Sequence, residues 1–157
     1  MLGREYEGQN CSIARTLEVI GERWTMLIIR DALRGLRRFD EFRTSLGIAR
    51  NILTTRLNRL VDNGILQRTS YQDAPPRWDY TLTDRGRELA TPLLALMHWG
   101  DRHLATPAGP PRLARHATCG GDVTERHVCA HCGPIDTADL TVEPGPGLRT
   151  RFPETTR

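Results

Sequence analysis

The chain has 157 residues, of which 38% are hydrophobic and 26% are charged, and its formal net charge is +3. This length is enough for one compact domain with a buried core and some additional structure. The composition is that of a soluble globular protein and excludes a membrane-spanning one, since no apolar run reaches the ~18 residues that a bilayer requires. Residues 1–10 also lack the apolar centre of a signal peptide, which predicts a cytoplasmic location.

Four stretches in the first half of the chain have apolar residues at the spacing of an α-helix. The first predicted helix ends at Gly21, and the second ends near Gly35. Two further helices are predicted at residues 38–46 and 50–63, and the short turn between them contains Gly47. Two helices that are joined by a short turn with a glycine predict a helix-turn-helix.

A predicted β-hairpin directly follows the longer of these two helices. Residues 65–71 and 77–82 have strand character, and Trp78 and Tyr80 alternate with polar residues in the second run. Residues 72–76 contain two prolines and form a turn that cannot be helical. A hairpin in this position is a wing, so the predicted fold is mainly α with a small β-hairpin wing, a winged helix-turn-helix.

Thr83 and Asp84 are placed to begin a last helix, which is predicted to run to about Leu104 with a kink at Pro92. Its apolar residues are Leu89, Leu93, Leu96, Met97 and Leu104 on one face, and Ala90, Leu94, Ala95 and Trp99 on further sides. One stripe can pack in the protomer's own core, and the rest needs another partner. This pattern predicts a homodimer formed by the first helix and the helix at 84–104. The alternative is a helix that is buried inside a larger monomer.

The composition changes beyond the last predicted helix. Residues 105–112 form a proline-rich linker, and residues 143–157 are rich in Pro, Gly, Thr and Arg, which predicts a disordered tail. Between them, residues 113–138 hold three of the four cysteines and three of the five histidines. The predicted organisation is therefore a winged-helix domain for DNA binding and dimerisation at residues 10–104, a small C-terminal zinc-ribbon-like segment and the tail.

Four residues of the zinc-ribbon-like segment have the spacing H-x2-C-x9-C-x2-C: His116, Cys119, Cys129 and Cys132. Thiolates and imidazole suit tetrahedral structural zinc, and glycines follow both cysteine-containing ends, as in the knuckles of zinc ribbons. A segment this small has little core of its own, so a bound zinc would explain its folding. His127 and His131 compete with His116 for the fourth position, and a disulfide or free thiols are the alternatives.

Arginine provides the positive charge of this chain, which contains no lysine. Residues 34–80 contain nine arginines and five acids, a local excess of four positive charges. Arginine makes planar bidentate contacts with phosphate and guanine, so this distribution favours DNA as a partner. The alternative explanation for the missing lysines is the codon bias of a GC-rich genome.

The helix predicted at residues 50–63 has an apolar side and a polar side when its residues are spaced by about 100°. The polar side carries Asn51, Thr55, Asn58, Arg59 and Asp62. Asn reads adenine edges, Thr reads bases or the thymine methyl, and Arg reads guanine or binds phosphate. Such a face suits the major groove, which admits one helix. Thr54 and Arg56 lie at the edges of the apolar stripe, where Arg56 is assigned a structural or phosphate-binding role.

The complete set of predicted DNA contacts is Arg37, Arg38, Arg50, Asn51, Thr54, Thr55, Asn58, Arg59 and Arg77. Arg37 and Arg38 begin the preceding helix and are candidates for phosphate contacts. Arg77 lies on the wing and could reach phosphate or a narrow minor groove. A solvated surface charge is the alternative for each arginine taken singly.

Six short stretches add a resemblance to a known family: CSIARTL at residues 11–17, IGERW at 20–24, RFDEF at 38–42, LTTRL at 53–57, PPRWDY at 75–80 and LTDRG at 82–86. In this order they resemble the HxlR family of bacterial winged-helix regulators, relatives of the MarR-like proteins. The resemblance covers residues 10–104 and implies a transcriptional regulator, which we expect to be a repressor that acts in the nucleoid. It also implies a homodimer on a two-fold related operator. A small-molecule effector is not identified by these residues.

Cys11 stands alone at the start of the first helix, where a helix N-terminus lowers the pKa of a thiol. Some members of the resembled family sense oxidants or electrophiles through a cysteine at the matching position. The resemblance thus implies that oxidation of Cys11 shifts the dimer and changes DNA affinity. The alternative is a small side chain that packs near the dimer contact.

Two other functions compete with DNA binding. A metal-dependent enzyme that uses the cysteine and histidine cluster would need a catalytic motif, and no catalytic zinc pattern, phosphate loop or nucleophile motif is present. A winged helix that contacts only proteins would not need an arginine-bearing wing beside a polar helix face. We therefore expect a regulator of transcription and not an enzyme.

Overall fold

The computed structural model describes Tyr6 and residues 9–147. The chain divides into two compact units, Met1–Arg102 and His103–Arg157, which are described separately. From residue 148 onward, the predicted disordered tail lies outside the described residues. Among the described residues, no helix has the length and apolar character that crossing a membrane requires.

The first unit is mainly helical and contains one two-stranded sheet. Its elements in chain order are α1 (Ser12–Ile20), α2 (Thr25–Leu33), α3 (Phe39–Leu46), α4 (Arg50–Asp62), β1 (Leu66–Asp73), β2 (Pro76–Leu82), α5 (Asp84–Arg87) and α6 (Ala90–His103). The predicted order of four helices, a hairpin and a further helical segment is confirmed. Trp24, the last residue of the IGERW stretch, directly precedes α2 with a left-handed φ of 79°.

One apolar core joins α2, α3, α4 and the hairpin. Its fully buried large side chains include Ile28, Ile29, Phe42, Leu53 and Leu57. Each such side chain stabilises the fold by about 1.5–3 kcal/mol relative to an exposed position. The leucines of α4 therefore hold one face of this helix against the core.

The turn between α3 and α4 follows the predicted pattern. Gly47 ends α3 with a left-handed φ of 61°, and its N–H donates to the carbonyl of Arg43 at 2.9 Å. Ile48 turns inward and is buried, while Ala49 is extended and precedes the first residue of α4. This short connection fixes the angle between the two helices of the helix-turn-helix.

The hairpin is longer than the sequence predicts. The turn was expected at residues 72–76, whereas the strands continue until Asp73 pairs with Pro76. The register shifts between Ser70 and Gln72, so an irregularity at Tyr71 absorbs one residue and lets the pairing continue towards the tip. The wing therefore extends as a paired ribbon almost to its end.

Backbone hydrogen bonds attach the wing to the segment before α3. The N–H of Tyr80 donates to the carbonyl of Arg37 at 2.7 Å, and Arg38 forms a bridge with Asp79. Tyr80 itself is buried, and burial raises the pKa of its phenol. The wing is thus held in a defined position beside the helix-turn-helix.

The base of the wing packs closely on α5. Thr83 caps this helix as predicted, because its hydroxyl oxygen accepts from the N–H of Gly86 at 3.0 Å. A Cβ at Gly86 would lie 2.1 Å from the carbonyl oxygen of Ile65, so only glycine fits this position. The backbone of Ile65, directly before β1, and the backbone of α5 can therefore approach each other closely.

The prediction of one kinked last helix is wrong, because the structure divides it into α5 and α6. Pro92 lies in the first turn of α6, where a missing N–H costs no helical hydrogen bond. In a continuous helix its ring would clash with the carbonyl of Glu88. The interruption consequently falls before the proline instead of at it.

The second unit contains little regular structure in its described part. Its strands β3 (His127–Cys129) and β4 (Gly133–Ile135) form an antiparallel hairpin, and a 3₁₀ turn follows at Thr137–Asp139. None of the described residues 103–147 is buried. Apolar packing alone therefore does not account for the order of this unit.

Candidate nucleic-acid interface

The recognition candidate α4 has two clearly different sides. Leu53, Leu57 and Leu60 are at most 1% exposed. Asn51, Thr55 and Asn58 on the other side are exposed to solvent, as are Arg50 at the helix start and Thr54 at the edge of the apolar stripe. Helical periodicity produces this separation, since residues three or four positions apart share a face.

Two threonine hydroxyls of α4 donate within the helix, so their oxygens are left to accept hydrogen bonds from a ligand. Thr54 donates its hydroxyl to the carbonyl of Arg50 at 2.9 Å, and Thr55 donates to the carbonyl of Asn51 at 3.0 Å. Each threonine oxygen keeps lone pairs that face outward. Asn58 adds an amide with both donors and an acceptor. The outward side of α4 can therefore form hydrogen bonds with both the donors and the acceptors on a base edge.

Two arginines of α4 turn towards α1 and the turn that follows it. Arg56 and Arg59 both form ion pairs with the carboxylate of Glu22. Arg59 also donates to the carbonyl of Glu18 at 3.1 Å, and Arg56 donates to the carbonyl of Arg23 at 3.3 Å. Arg59 was predicted on the outward face, but its long side chain is half-buried in this cluster. For Arg56 the sequence predicts a structural or phosphate-binding role, and these contacts fit the structural one.

Replacing Glu22 by glutamine is expected to lower the free energy of unfolding by about 1 kcal/mol. The amide loses the charge that pairs with Arg56 and Arg59, and partial exposure limits the effect. Denaturation by urea measures this change. The same variant should bind duplex DNA at least as tightly as the wild type, because α4 then lies in a more positive surrounding.

Glu18→Gln is the matched control, since Glu18 loses the same charge but accepts its hydrogen bond from the N–H of Tyr6. Its stability is expected to lie closer to that of the wild type. Equal urea midpoints for all three proteins would show that the cluster around Glu22 contributes nothing to stability.

The start of α3 exposes two arginines beside the wing. The carboxylate of Glu41 accepts from the backbone N–H groups of Arg37 at 2.8 Å and of Arg38 at 2.9 Å, and these bonds lower the pKa of Glu41. The guanidinium of Arg38 stacks 4.8 Å from the ring centre of Tyr71 and lies 3.6 Å from Asp79 Oδ1. The backbone at this position is fixed while both cationic side chains stay accessible.

A groove of about 670 Å³ lies between α3, the start of α4 and the wing. Its cationic lining residues are Arg38, Arg50 and Arg77. Arg50 lies over the ring of Phe39 at 5.1 Å and only 3.9 Å from Asp40, so its contacts are loose and largely exposed. The acids Asp40 and Glu41 also line the groove, so three arginines face two carboxylates there, and the tip of the wing forms the outer edge.

The wing carries a further arginine that the sequence did not single out. Arg68 lies on β1 and stacks 4.8 Å from the ring centre of Trp78. It is exposed, although it lies on the same face of the hairpin as the buried Leu66 and Tyr80. The signal available in the sequence was the alternation of exposed and inward residues in β2, because it places the ring of Trp78 where an arginine of β1 can stack on it. Arg68 adds charge to the same wing as Arg77.

Cys11 precedes the first residue of α1 and is exposed. The backbone N–H groups of Ala14 and Ile13 point at its sulfur and lower the pKa of the thiol. Cys11 therefore lies at the start of α1, as the sequence predicts, and its surroundings favour the thiolate.

The four predicted zinc ligands lie in two pairs in the second unit. His116 Nδ1 is 3.1 Å from the sulfur of Cys119. Cys129 and Cys132 flank a tight turn, in which the N–H of His131 points at the sulfur of Cys129 at 3.5 Å. No group of three or more His, Cys, Asp or Glu side chains within the described part of the chain is close enough to hold a metal ion.

Comparisons with known proteins agree with the fold. A family model described as HxlR-like helix-turn-helix matches residues 19–107. The chain is 45% identical over 152 residues to Rv3095 of Mycobacterium tuberculosis, an uncharacterised HTH-type transcriptional regulator, and the match covers 96% of this chain and 95% of the relative.

Two solved structures extend the comparison. PA1607, a candidate transcription factor, is 36% identical with a TM-score of 0.77, and the match covers 86% of this chain and 95% of PA1607. The redox regulator HypR in its reduced form is 34% identical with a TM-score of 0.55, over 59% of this chain and 92% of HypR. With its helix-turn-helix, its wing and a family match over more than half of its length, the chain belongs to the HxlR-like helix-turn-helix family of transcriptional regulators.

Proposed function

We propose that this regulator binds duplex DNA by placing the outward side of α4 in the major groove, as a homodimer that represses transcription from a two-fold related operator. The observation that carries the proposal is the polar face of α4 opposite three leucines that the core holds in place. The major groove admits one α-helix, and its bases present the donors and acceptors that such a face can read. The proposal assigns the protein no enzymatic activity.

Asn51 and Asn58 are the residues that we assign to base reading. An asparagine amide can donate to adenine N7 and accept from adenine N6, which gives two hydrogen bonds to one base. The two residues are seven positions apart, so they lie on the same side of α4 about two turns from each other. Thr54 and Thr55 lie between them and suit a thymine methyl or a phosphate.

Phosphate contacts are assigned to Arg37, Arg38, Arg50 and Arg77. The last three line the groove beside the wing, and Arg37 is the exposed residue before Arg38. No side chain caps α4, because the side chain of Ala49, which precedes the helix, has no hydrogen-bond acceptor. The amide N–H groups of that turn can donate to a phosphate instead, and the helix dipole favours the anion there. These contacts would set the position of α4 without reading sequence.

The homodimer is assigned to α1 and α6. Leu96 and Trp99 on α6 are more than half exposed, and Ile13 on α1 is 70% exposed. No residue of α6 is buried, although Leu93 packs against the core. Exposed apolar side chains on two helices are the surface that a two-fold interface would cover.

Leu96→Glu is expected to give a stable monomer. A carboxylate at the centre of the interface would be buried without a partner in the dimer but solvated in the monomer. Thr91→Glu lies about 140° around α6 and serves as the matched control that remains a dimer. Sedimentation velocity distinguishes the two states, and a wild-type protein that is monomeric at micromolar concentration would contradict the proposed dimer.

The experiment that tests the proposed function is genome-wide footprinting of the wild-type protein. A dimer with two recognition helices should protect two inverted half-sites whose centres lie about one helical turn of DNA, or a multiple of it, apart. Occupied sites that overlap promoters support repression. Protection of a single half-site, or no reproducible protection, would contradict the proposal.

We further propose that oxidation of Cys11 regulates DNA binding. The proposal is supported by the exposed thiol with a lowered pKa and by the similarity to HypR, which is described as a redox regulator in reduced and oxidised forms. Treatment with hydrogen peroxide is expected to change operator affinity by roughly 5- to 150-fold, the usual range of coupling between two sites. Fluorescence anisotropy measures the effect, and Cys11→Ser should abolish it. Equal sensitivity of the wild type and Cys11→Ser would overturn the proposal.

A further inference from the structure

We propose that the second unit is a zinc ribbon, in which one structural Zn²⁺ is held by His116, Cys119, Cys129 and Cys132. Three thiolates and one imidazole form a closed tetrahedral set of the kind found in structural zinc sites. This site is separate from DNA binding by α4, and its presence does not depend on that function.

The two pairs of ligands lie in matching turns. In the first turn, the N–H of Gly120 donates to the carbonyl of His116 at 2.8 Å, and Gly120 has a φ of 72°. In the second, Gly133 pairs with Cys129 across the β3–β4 hairpin and has a φ of 85°. Each turn thus has ligands at its first and fourth positions and a left-handed glycine at the fifth.

This repeated geometry has a chemical reason. A left-handed glycine lets the chain reverse within four residues, so both ligands of a pair face the same side of the turn. The N–H of His131 already points at the sulfur of Cys129. Donors of this kind stabilise a thiolate that is bound to a metal.

The distance within the first pair fits a shared metal. Bonds of about 2.3 Å to sulfur and 2.0–2.1 Å to nitrogen at a tetrahedral zinc place the two atoms about 3.5 Å apart. His116 Nδ1 and Cys119 Sγ are 3.1 Å apart, so a small opening of the pair would admit the ion.

The geometry also favours one histidine among the three candidates. His116 contacts Cys119, whereas His127 lies in β3 and the backbone of His131, not its ring, contacts Cys129. His116 also starts its turn in the position that Cys129 holds in the other one. This equivalence assigns the fourth ligand to His116.

The packing of the unit requires a stabilising element of this kind. None of the described residues 103–147 is buried, yet the unit has a hairpin and two tight turns. The first turn is closed by further bonds, from the N–H of Val123 to Ala114 at 3.1 Å and from Arg115 to Asp122 at 2.8 Å. A metal that joins the two turns would replace the missing apolar core, because its binding energy is folding energy. Among the described residues, no three of these side chains lie close enough together to hold a metal ion. The proposal therefore includes the approach of the two turns to each other around the zinc.

The test is metal analysis of the full chain, purified under reducing conditions without chelators. Inductively coupled plasma mass spectrometry is expected to find about one zinc per chain. After equilibration with a competing chelator, Cys119→Ser and Cys132→Ser should hold almost none, whereas Cys11→Ser should match the wild type. His116→Ala should lose the zinc, and His127→Ala should keep it. Wild-type protein without zinc, or full zinc retention by the Cys119 and Cys132 variants, would overturn the proposal, and full retention by His116→Ala would overturn the assignment of the fourth ligand.

Cobalt provides a readout of the ligand set that does not depend on folding of a variant. Co²⁺ that replaces zinc in the wild-type chain should give the visible bands of a tetrahedral ion and the charge-transfer bands of bound thiolates. A spectrum of octahedral Co²⁺ without thiolate bands would contradict the proposed site.

Discussion

The double variant Asn51→Ala, Asn58→Ala is expected to fold like the wild type and to bind its operator at least ~30-fold more weakly. Both side chains are exposed on α4, so their removal opens no cavity. A bidentate contact with a base contributes about 1–3 kcal/mol of discrimination, and two independent contacts would together contribute about 2–6 kcal/mol. Anisotropy titrations with the operator and with a scrambled duplex at one salt concentration measure the loss of specificity.

Asp62→Ala is the matched control for this variant. Asp62 is exposed at the far end of the same helix, where its carboxylate would repel the phosphates of bound DNA. Its removal should strengthen binding to both duplexes and leave their affinity ratio unchanged. An unchanged ratio in the double asparagine variant would contradict base reading by α4.

Leu57→Ala is expected to lower the free energy of unfolding by about 2–5 kcal/mol. The side chain is 0% exposed and lies in the core cluster beneath α4, so truncation removes apolar contacts and leaves a cavity. Urea denaturation followed by circular dichroism gives the change in midpoint. The effect is large because the whole stability of a domain is only about 5–15 kcal/mol.

The neighbouring residue supplies the control for Leu57→Ala. Asn58 lies about 100° further around α4 and is exposed, so Asn58→Ala should leave the urea midpoint almost unchanged. A change of less than ~0.5 kcal/mol in Leu57→Ala would show that this side chain is not held in the core. The pair therefore separates the side of α4 that holds the fold from the side assigned to DNA.

Local patterns were sufficient to predict most of the first unit. The spacing of Leu53, Leu57 and Leu60 defined the inward side of α4, and Gly47 marked the turn before it. Both features depend on residues within a few positions of each other, so a sequence displays them directly. The cap at Thr83 was equally local, because its acceptor and donor are three residues apart.

Contacts between distant residues could not be predicted in the same way. Arg59 meets Glu22, which lies 37 positions earlier in the chain, and a helical wheel gives the direction of a Cβ but not the reach of an arginine. The extended pairing of the wing depends on an irregularity at Tyr71 that no alternation of residues marks. The division of the last helix follows from a clash at Pro92 that could be placed only once the helix start was known.

The second unit shows the same division between local and distant information. The spacing of its histidines and cysteines predicts two turns, and the structure contains both, each with a left-handed glycine. The sequence left three histidines open as the fourth candidate ligand, and the contact between His116 and Cys119 is the reason that the proposed site uses His116.

The salt dependence of operator binding by the wild-type protein tests DNA binding through α4 and the wing most directly. Four arginines in each protomer are assigned to phosphate, so a dimer that neutralises eight phosphates should give a slope of log K against log salt of about −7. Affinity titrations across a range of salt concentrations measure this slope. A slope near zero, or no binding to any duplex in dilute buffer, would contradict the assignment of this surface to DNA.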